Sequence, residues 1–328
     1  MVLLTIGAIV VVAVVVSIAT PWPAALLIRA LFERGAKETI GEMTPYAPKD
    51  GVAEKLGVAY GRSGTDTTFD WFAPTNTTGP LPTVVWIHGG AWISGHKEDV
   101  DPYVRILASH GYTTISLDYS IAPEARYPVA LDQLNDALRF LSRHAAQYRI
   151  DPDRFIIAGD SAGAQLTSQL ATAITSPNYA RRVGIVPGIA KHQLRAVILD
   201  CGIYDVSGIP NAPGIGGWGF RTALWAYLGK KDWSHTPGGV EMSTLKYVTA
   251  DFPTTWISGG NDDPLTASQS VRFAKRLSDL GVAVTKVFYA KDHVPALPHE
   301  YQFHLKFAAA RAALRSTIAF LGTVSSKP

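Results

Sequence analysis

The stretch FIIAGDSAGAQL, residues 155–166, decides the fold of this chain. A short apolar run is followed at once by GDSAG (159–163), a G-x-S-x-G motif, and then by a helical pattern. Glycines on both sides of the serine fit a sharp strand-to-helix turn that leaves no room for side chains. The serine of such a turn is exposed beside a helix N-terminus, whose free N–H groups favour a developing negative charge. We therefore predict that Ser161 is a nucleophile.

A second glycine motif, HGGAW (88–92), ends the apolar run TVVWIH upstream of the serine. A carbonyl group attacked by serine becomes an oxyanion, which needs N–H donors already in position. Glycines let backbone N–H groups approach that oxygen closely. The motif therefore predicts an oxyanion hole that works with Ser161, and we expect Trp92, at its end, to contact the substrate.

Short apolar runs alternate with helical patterns along most of the chain. The runs are continuous, as expected of strands buried on both faces of a parallel sheet. Six of them are Thr83–His88, Thr113–Tyr119, Phe155–Ser161, Ala196–Cys201, Thr254–Ser258 and Val284–Ala290. Two earlier runs, GVAYG and TTFDWFAP, are typical of strands at a sheet edge. The alternation predicts an α/β fold with a mostly parallel central sheet and helices on both faces.

With these motifs the chain resembles the hormone-sensitive-lipase group of α/β-hydrolase carboxylesterases and lipases. The resemblance spans about residues 80 to 322 and includes SLDYSIAPEARYPVALDQLNDAL (116–138), which is similar to the family's segment between the two glycine motifs. It implies an α/β-hydrolase fold and an oxyanion hole formed by the N–H groups of Gly90, Ala91 and Ala162. The family's usual motif is His-Gly-Gly-Gly, so Ala91 stands at the third glycine, and we expect a negative φ there.

A nucleophilic serine needs a base, and the base needs an acid that orients it. In this fold the acid follows a later strand and the histidine follows the last one. The motif DPL beginning at Asp263 resembles the family's Asp-Pro-Leu, which implies Asp263 as the acid rather than its neighbour Asp262. Two histidines, His293 and His299, follow the last apolar run. The family's spacing from the acid favours His293, whereas the residues after His299 match the family better, so we predict His299 and keep His293 as the alternative.

Composition excludes several classes of function. Basic and acidic residues number 30 and 27, a net charge of +3 with no basic block, so nucleic acid is not expected as a partner. The one cysteine, Cys201, rules out an intramolecular disulfide and lies in an apolar run, where we expect a buried small hydrophobic residue. No spacing of His, Cys and acidic residues matches a metal motif. We therefore expect an enzyme without metal or cofactor.

Residues 1–20 contain an almost unbroken apolar run, Val2 to Ala19. At about 1.5 Å per residue, such a run nearly crosses a bilayer core of about 30 Å. We interpret it as a membrane anchor; a cleaved signal peptide and a helix docked on the protein itself are the alternatives. Arg29, Arg34 and Lys37 follow the run and no basic residue precedes it, which favours a cytoplasmic C-terminal side. The chain is expected at a membrane or exported, and in the cytoplasm only if its catalytic domain is anchored there.

The rest of the chain divides into two predicted regions. Residues 21–50 are expected to form an amphipathic cap region, and residues 51–328 the α/β-hydrolase catalytic domain. Within that domain, residues 203–248 are rich in Gly, Pro and Trp and separate two strands, and an excursion of that length is typical of a lid or cap. A half-apolar cap suits short to medium acyl chains.

These features predict a serine hydrolase that cleaves carboxylic esters, small-molecule substrates, through an acyl-enzyme. An amidase or another acyl-transfer enzyme on the same fold is the first alternative, because the fold does not determine the chemistry. A membrane-tethered binding module without turnover is the second, and a lipase that takes its substrate from the bilayer is the third.

Overall fold

The computed structural model of the protein describes residues 16, 19–62, 64–211 and 214–326. The predicted anchor at residues 1–20 lies almost wholly outside these described residues. Among the described residues, no helix is long and apolar enough to cross a membrane.

Eight strands form a single sheet. They are β1 (Val52–Ala59), β2 (Thr68–Pro74), β3 (Leu81–Ile87), β4 (Thr113–Leu117), β5 (Ile150–Asp160), β6 (Leu194–Asp200), β7 (Thr254–Gly259) and β8 (Val284–Phe288). Their order across the sheet is β1-β2-β4-β3-β5-β6-β7-β8. The first two pairs, β1 with β2 and β2 with β4, are antiparallel, and every later pair is parallel. The predicted mostly parallel sheet is confirmed, and the two strands predicted at a sheet edge, β1 and β2, are the antiparallel ones.

Each apolar run predicted as a strand is a strand, but one of them is not buried on both faces. In β5, between β3 and β6, Ile156 and Ile157 are fully buried. In β8, by contrast, every residue is exposed or half-buried. The difference follows from position, because β8 is the last strand of the sheet and has a partner on one side only.

Helices cover both faces of the sheet. They are α1 (Trp22–Met43), α2 (Asp101–Ser109), α3 (Val129–Arg143), α4 (Ser161–Thr175), α5 (Pro177–Arg182), α6 (Gly214–Leu228), α7 (Pro237–Met242), α8 (Val271–Asp279) and α9 (Ala308–Ser325). Successive residues of β3 belong to two different apolar clusters, Val85 and Ile87 to one, and Val84 and Trp86 to the other. Alternate strand residues point to opposite faces, so each face has its own core. The predicted helices on both faces are confirmed.

The last helix is shorter than its apolar pattern suggests. Phe303 and Phe307 continue the stripe of the helix in sequence, yet α9 begins only at Ala308. The segment before it is interrupted by Glu300, whose backbone is left-handed with φ 57°, and by a single 3₁₀ turn at Tyr301–Phe303. Phe303 is buried all the same, against Trp86 and Tyr103, so its apolar character reflects burial rather than helix.

We expect Ile157→Ala to lower the free energy of unfolding by about 2–5 kcal/mol, because it leaves a cavity in the two-sided core of β5. Val186→Ala is the matched control, since Val186 is 77% exposed and its loss is expected to cost less than about 0.5 kcal/mol. Denaturant unfolding of both variants measures the difference. Equal losses would contradict the placement of Ile157 at the centre of the sheet.

Candidate active site

Ser161 stands at the junction of β5 and α4. Its backbone is left-handed, with φ 49°, so the chain turns sharply from the strand into the helix. Glycine is required at Gly163, because a methyl group there would overlap the carbonyl oxygens of Ile87 and His88 at the end of β3. This close approach sets the serine directly beside the HGG segment, as the two motifs predicted.

Ser161, His299 and Asp263 form one hydrogen-bonded chain. His299 Nε2 lies 2.9 Å from Ser161 Oγ, and His299 Nδ1 lies 2.9 Å from Asp263 Oδ2. The second oxygen of Asp263 accepts a bond of 2.8 Å from the Leu265 N–H, which fixes the carboxylate in the loop after β7. Asp263 is buried, whereas His299 is 30% exposed and faces a cleft.

The two neighbouring candidates lie elsewhere. The ring of His293 packs against Tyr289, with ring centroids 4.7 Å apart, and its backbone carbonyl accepts a bond from Asn261. Asp262 is exposed, and its N–H donates to the carbonyl of Leu297. The structure thus brings together the predicted residues, Ser161, Asp263 and His299, and not their alternatives.

The electrostatics of His299 follow from its neighbours. Burial alone would lower its pKa, but the hydrogen bond and charge of Asp263, together with the charge of Glu300, raise the pKa of His299 to about 9. Burial would raise the pKa of Asp263, yet the hydrogen bond and charge of His299 leave that pKa below its ordinary value. The pair therefore favours a carboxylate at Asp263 and stabilises positive charge on the imidazole.

The HGG segment forms a tight left-handed turn, and here one expectation is wrong. Gly90, Ala91 and Trp92 have φ of 98°, 52° and 60°, so Ala91 does not keep a negative φ. The Gly90 carbonyl accepts bonds from the N–H groups of both Ile93 and Ser94, which close the turn and impose this backbone on Ala91. A left-handed alanine costs roughly 1–2 kcal/mol. Such strain is typical of sites where backbone N–H groups are held for function.

Trp92 does not lie where we expected it. Its side chain is fully buried, donates to Gln165 Oε1 over 3.1 Å and stacks on Tyr227 with centroids 5.5 Å apart. It is absent from the residues that line the cleft at Ser161. The expectation that Trp92 contacts the substrate is therefore corrected: its side chain packs in the core of the protein.

The cleft above Ser161 has a volume of about 420 Å³. One wall is α1, through Leu31 and Phe32, and Phe220 of α6 also lines it. The N-terminal helix and the long excursion at residues 203–248 therefore both border the site, where the sequence predicted a cap.

Two ion pairs hold α1 against the site, one in its first half and one in its last turn. Arg29 binds the Glu124 carboxylate with two nitrogens, and it also donates to the carbonyls of Ile93 and Ala122. Toward the other end, Glu42 accepts from His304 over 2.9 Å. The bond to Ile93 ties α1 to the turn of the HGG segment, a contact that the sequence did not indicate.

Two clusters of potential metal ligands occur among the described residues. Their ligand atoms lie within 4.8 Å of one another: Cys201, Asp263 and His299 in one cluster, and His96, Glu98 and Asp118 in the other. In the first, both ring nitrogens of His299 are already bonded to Ser161 and Asp263. In the second, the ammonium group of Lys97 lies between the two carboxylates. We assign no metal to either.

Cys201 is buried, and burial, reinforced by nearby carboxylates, raises its thiol pKa well above the ordinary value, so it is no nucleophile.

Sequence reasoning missed two carboxylic acids at the site, Asp160 and Glu300. Each directly adjoins a predicted residue, Asp160 before Ser161 and Glu300 after His299. Glu300 Oε1 lies 3.7 Å from His299 Nε2. Acidic residues beside the nucleophile and the base were the available signal.

Comparison with known proteins agrees with this architecture. The family model BD-FAE matches residues 69–277, well over half of the chain. Esterase LipQ of Mycobacterium tuberculosis is 26% identical over 280 residues, which cover 83% of this chain and 63% of that protein. An acetyl esterase of Salmonella paratyphi B is 31% identical over 208 residues, 61% of this chain and 60% of the relative. The chain thus spans less than two thirds of the length of these curated relatives.

Among solved structures, esterase B from Lactobacillus rhamnosis superimposes with a TM-score of 0.78 at 22% identity, covering 92% of this chain and 96% of that one. The sheet, with a serine at the turn between β5 and α4, defines an α/β-hydrolase. The chain belongs to the BD-FAE family, and the curated relatives that it resembles are named as esterases.

A matched pair of glycine substitutions tests the turn. We expect Gly163→Ala to lower the free energy of unfolding by roughly 1–3 kcal/mol, because its methyl group collides with backbone rather than with a mobile side chain. Gly322→Ala, in α9, meets no atom within 4 Å and is expected to raise stability by about 0.5–1 kcal/mol. Denaturant unfolding compares them, and a stabilising Gly163→Ala would exclude the close approach to β3.

Proposed function

We propose that this protein hydrolyses carboxylic esters through an acyl-enzyme on Ser161, with His299 as the general base and Asp263 as the acid that orients it. The observation that carries the proposal is the hydrogen-bonded chain from Ser161 through His299 to Asp263, with both distances at 2.9 Å. Similarity to relatives that are named as esterases supports the same reaction.

In the proposed mechanism, His299 Nε2 takes the Ser161 proton as the serine oxygen attacks the ester carbonyl. Asp263 holds the proton on Nδ1 and stabilises the imidazolium. The imidazolium then protonates the leaving alcohol, and an acyl-enzyme remains. Water, activated by the same imidazole, releases the acid and restores Ser161. No step needs a metal or a redox partner.

The oxyanion hole is proposed to consist of the N–H groups of Gly90, Ala91 and Ala162. Ala162 is the second residue of α4, where N–H groups have no partner within the helix. The left-handed turn at Gly90 and Ala91 lies beside it, because Gly163 brings the start of α4 against the end of β3. Donors fixed in this way stabilise negative charge without reorganisation.

We propose substrates with short to medium acyl chains. A cleft of about 420 Å³, bordered by Leu31, Phe32 and Phe220, has room for a small ester with an apolar acyl group. The names of relatives point the same way, since one is an acetyl esterase and esterase B has been solved inhibited by a tributyrin phosphonate.

Amide hydrolysis on the same residues is the alternative reaction, and paired ester and amide substrates with one acyl group distinguish the two. A binding module without turnover is less well supported, because Ser161, His299 and Asp263 are all present and hydrogen-bonded.

The proposed division of the chain is a membrane segment (1–20), a cap region (21–50) and a catalytic domain (51–328).

Attachment to a membrane through residues 2–19 is part of the proposal. The run is apolar in sequence, and α1 begins a few residues after it, at Trp22. The first turns of α1 expose Leu26, Leu27 and Leu31, with 42%, 57% and 62% of each residue accessible. An exposed apolar stripe that follows a membrane segment suits the bilayer interface.

We expect Ser161→Ala and His299→Ala to lower kcat for p-nitrophenyl esters by roughly 10⁴-fold or more, because each removes a member of a unit that acts together. Asp263→Asn is expected to cost on the order of 10⁴-fold through the wrong imidazole tautomer. His293→Ala is the matched control and keeps most of the activity. Initial rates over a series of acyl lengths provide the measurement.

Each result of that series has a distinct meaning. Full activity of Ser161→Ala excludes the acyl-enzyme on this serine. Loss of activity in His293→Ala with retention in His299→Ala assigns the base to the other histidine. A rate that rises steadily toward long acyl chains contradicts the proposed preference.

The membrane proposal predicts that the full chain sediments with membranes and resists a high-salt wash. A chain lacking residues 1–19 is expected in the supernatant, with unchanged kcat/KM on a dissolved ester, because the deleted residues precede the cap and the site. Fractionation and mass spectrometry measure both. Protein expressed from the full sequence but recovered in the supernatant with a shortened N-terminus would identify a cleaved signal peptide instead.

A further inference from the structure

Two carboxylic acids meet beside the nucleophile. Asp160 is buried, and its Oδ1 accepts a bond of 2.7 Å from the Trp86 indole N–H. Its other oxygen, Oδ2, lies close to Oε1 of Glu300 beside Gly89. Both carboxyl groups lie over Gly89, where a methyl group would overlap an oxygen of each. Gly89 is therefore the residue that makes room for the pair.

A hydrogen bond between two carboxyl groups requires one proton. Burial, and next the charge of Glu300, raise the pKa of Asp160 well above its ordinary value. The Glu300 side chain is 32% exposed and so retains contact with water. Because charge is more costly in the buried member of such a pair, the proton belongs on Asp160 and the negative charge on Glu300.

Glu300 is held in this place by strained backbone. Its φ of 57° is rare for a residue with a side chain. The left-handed turn directs the carboxylate back toward its neighbour, so that Oε1 lies 3.7 Å from His299 Nε2. That nitrogen is the one bonded to Ser161 Oγ. Strain retained at such a point is typical of a functional constraint.

We propose that Asp160 and Glu300 form a carboxyl pair with a single proton, in which Asp160 donates to Glu300 and fixes its negative charge beside His299 Nε2. Glu300 is thus a positioning residue that acts through His299, on the opposite nitrogen from Asp263. This inference rests on the proposed function, because it assigns His299 as the base.

The pair keeps its one proton throughout the reaction. When the ester is attacked, the Ser161 proton passes to His299 Nε2 and then to the leaving alcohol oxygen. When water attacks the acyl-enzyme, its proton follows the same route to Ser161 Oγ. In both transition states the imidazole carries positive charge, and the fixed charge of Glu300 stabilises it in addition to Asp263.

Other titratable groups also face this region. Asp263 and Cys201 lie on the Nδ1 side of His299, in the loops after β7 and β6. Asp200, at the end of β6, adds to the field at Asp160, and burial raises the pKa of Asp200 to about 7. His304 and Glu42 border the same cleft as a hydrogen-bonded pair. Of these carboxylates only Asp263 also contacts His299, and it is unchanged in the variants below.

The test is the pH dependence of kcat/KM for a dissolved p-nitrophenyl ester in wild type and Glu300→Gln. Wild type gains activity as pH rises through about 9, because His299 must lose its proton to act as base. Glu300→Gln keeps a hydrogen-bonding group but removes the charge. We expect the rising part of its pH profile to shift to lower pH by roughly one pH unit. We also expect its kcat/KM on the high-pH plateau to be lower by roughly tenfold. At pH values below the rise of both profiles, kcat/KM is the same in wild type and Glu300→Gln. The variant has more neutral His299 at these pH values, and this gain offsets its weaker stabilisation of the imidazolium.

Asp160→Asn tests which acid carries the proton. Its amide accepts from Trp86 and donates to Glu300, as a protonated Asp160 does. We therefore expect the pH profile of kcat/KM to rise at the same pH as in wild type, with a plateau within about threefold of wild type. Asp262→Asn is the control for loss of a negative charge, because Asp262 is exposed on the loop that carries Asp263. ¹⁵N NMR titration of His299 in each variant gives the same shift without turnover.

The outcomes separate this inference from the proposed function. If Ser161→Ala abolishes hydrolysis but Glu300→Gln lowers kcat/KM equally at every pH, the triad stands and Glu300 is merely structural. An unchanged profile in Glu300→Gln also overturns the inference. If the pH profile of Asp160→Asn shifts as far as that of Glu300→Gln, the negative charge is on Asp160 instead. Full activity of Ser161→Ala removes the proposed function itself.

Discussion

The close approach of the first turn of α4 to the end of β3 is the constraint on which the rest of the site depends. Gly163 lies against the carbonyl oxygens of Ile87 and His88, with no room for even a methyl group. This contact joins the strand that ends in Ser161 to the strand that ends in the HGG turn. The nucleophile and the N–H donors proposed for the oxyanion are therefore placed by one packing contact between backbone atoms, and not by mobile side chains.

Much of this arrangement follows from local sequence. Six of the eight strands are readable because continuous apolar runs are what a parallel sheet requires, and GDSAG and HGGAW mark the two turns by their glycines. The choice between His293 and His299 was harder, since it depends on how the chain folds between β8 and α9. Spacing favoured the first, and the hydrogen bonds to Ser161 and Asp263 involve the second.

Features that depend on tertiary contacts were beyond sequence reasoning. The left-handed backbone at Ala91 is imposed by two hydrogen bonds to the Gly90 carbonyl, and an alanine in the sequence does not predict it. Trp92 belongs to a motif at the site yet points into the core. Asp160 and Glu300 are far apart in sequence and meet only because β5 and the segment before α9 end at the same edge of the sheet. Non-local pairs of this kind have no signature in a single sequence.

The attachment of α1 has a consequence for how the protein responds to heat. The helix buries few of its own side chains, namely Ala25, Ile28 and Met43, and it is also held by the ion pairs of Arg29 and Glu42. Elements with few buried contacts open at lower free energy than a central sheet. Because Arg29 also binds the Ile93 carbonyl in the HGG turn, detachment of α1 would free that turn while the sheet remained folded. Inactivation on warming would then precede melting, and early loss would be reversible on cooling.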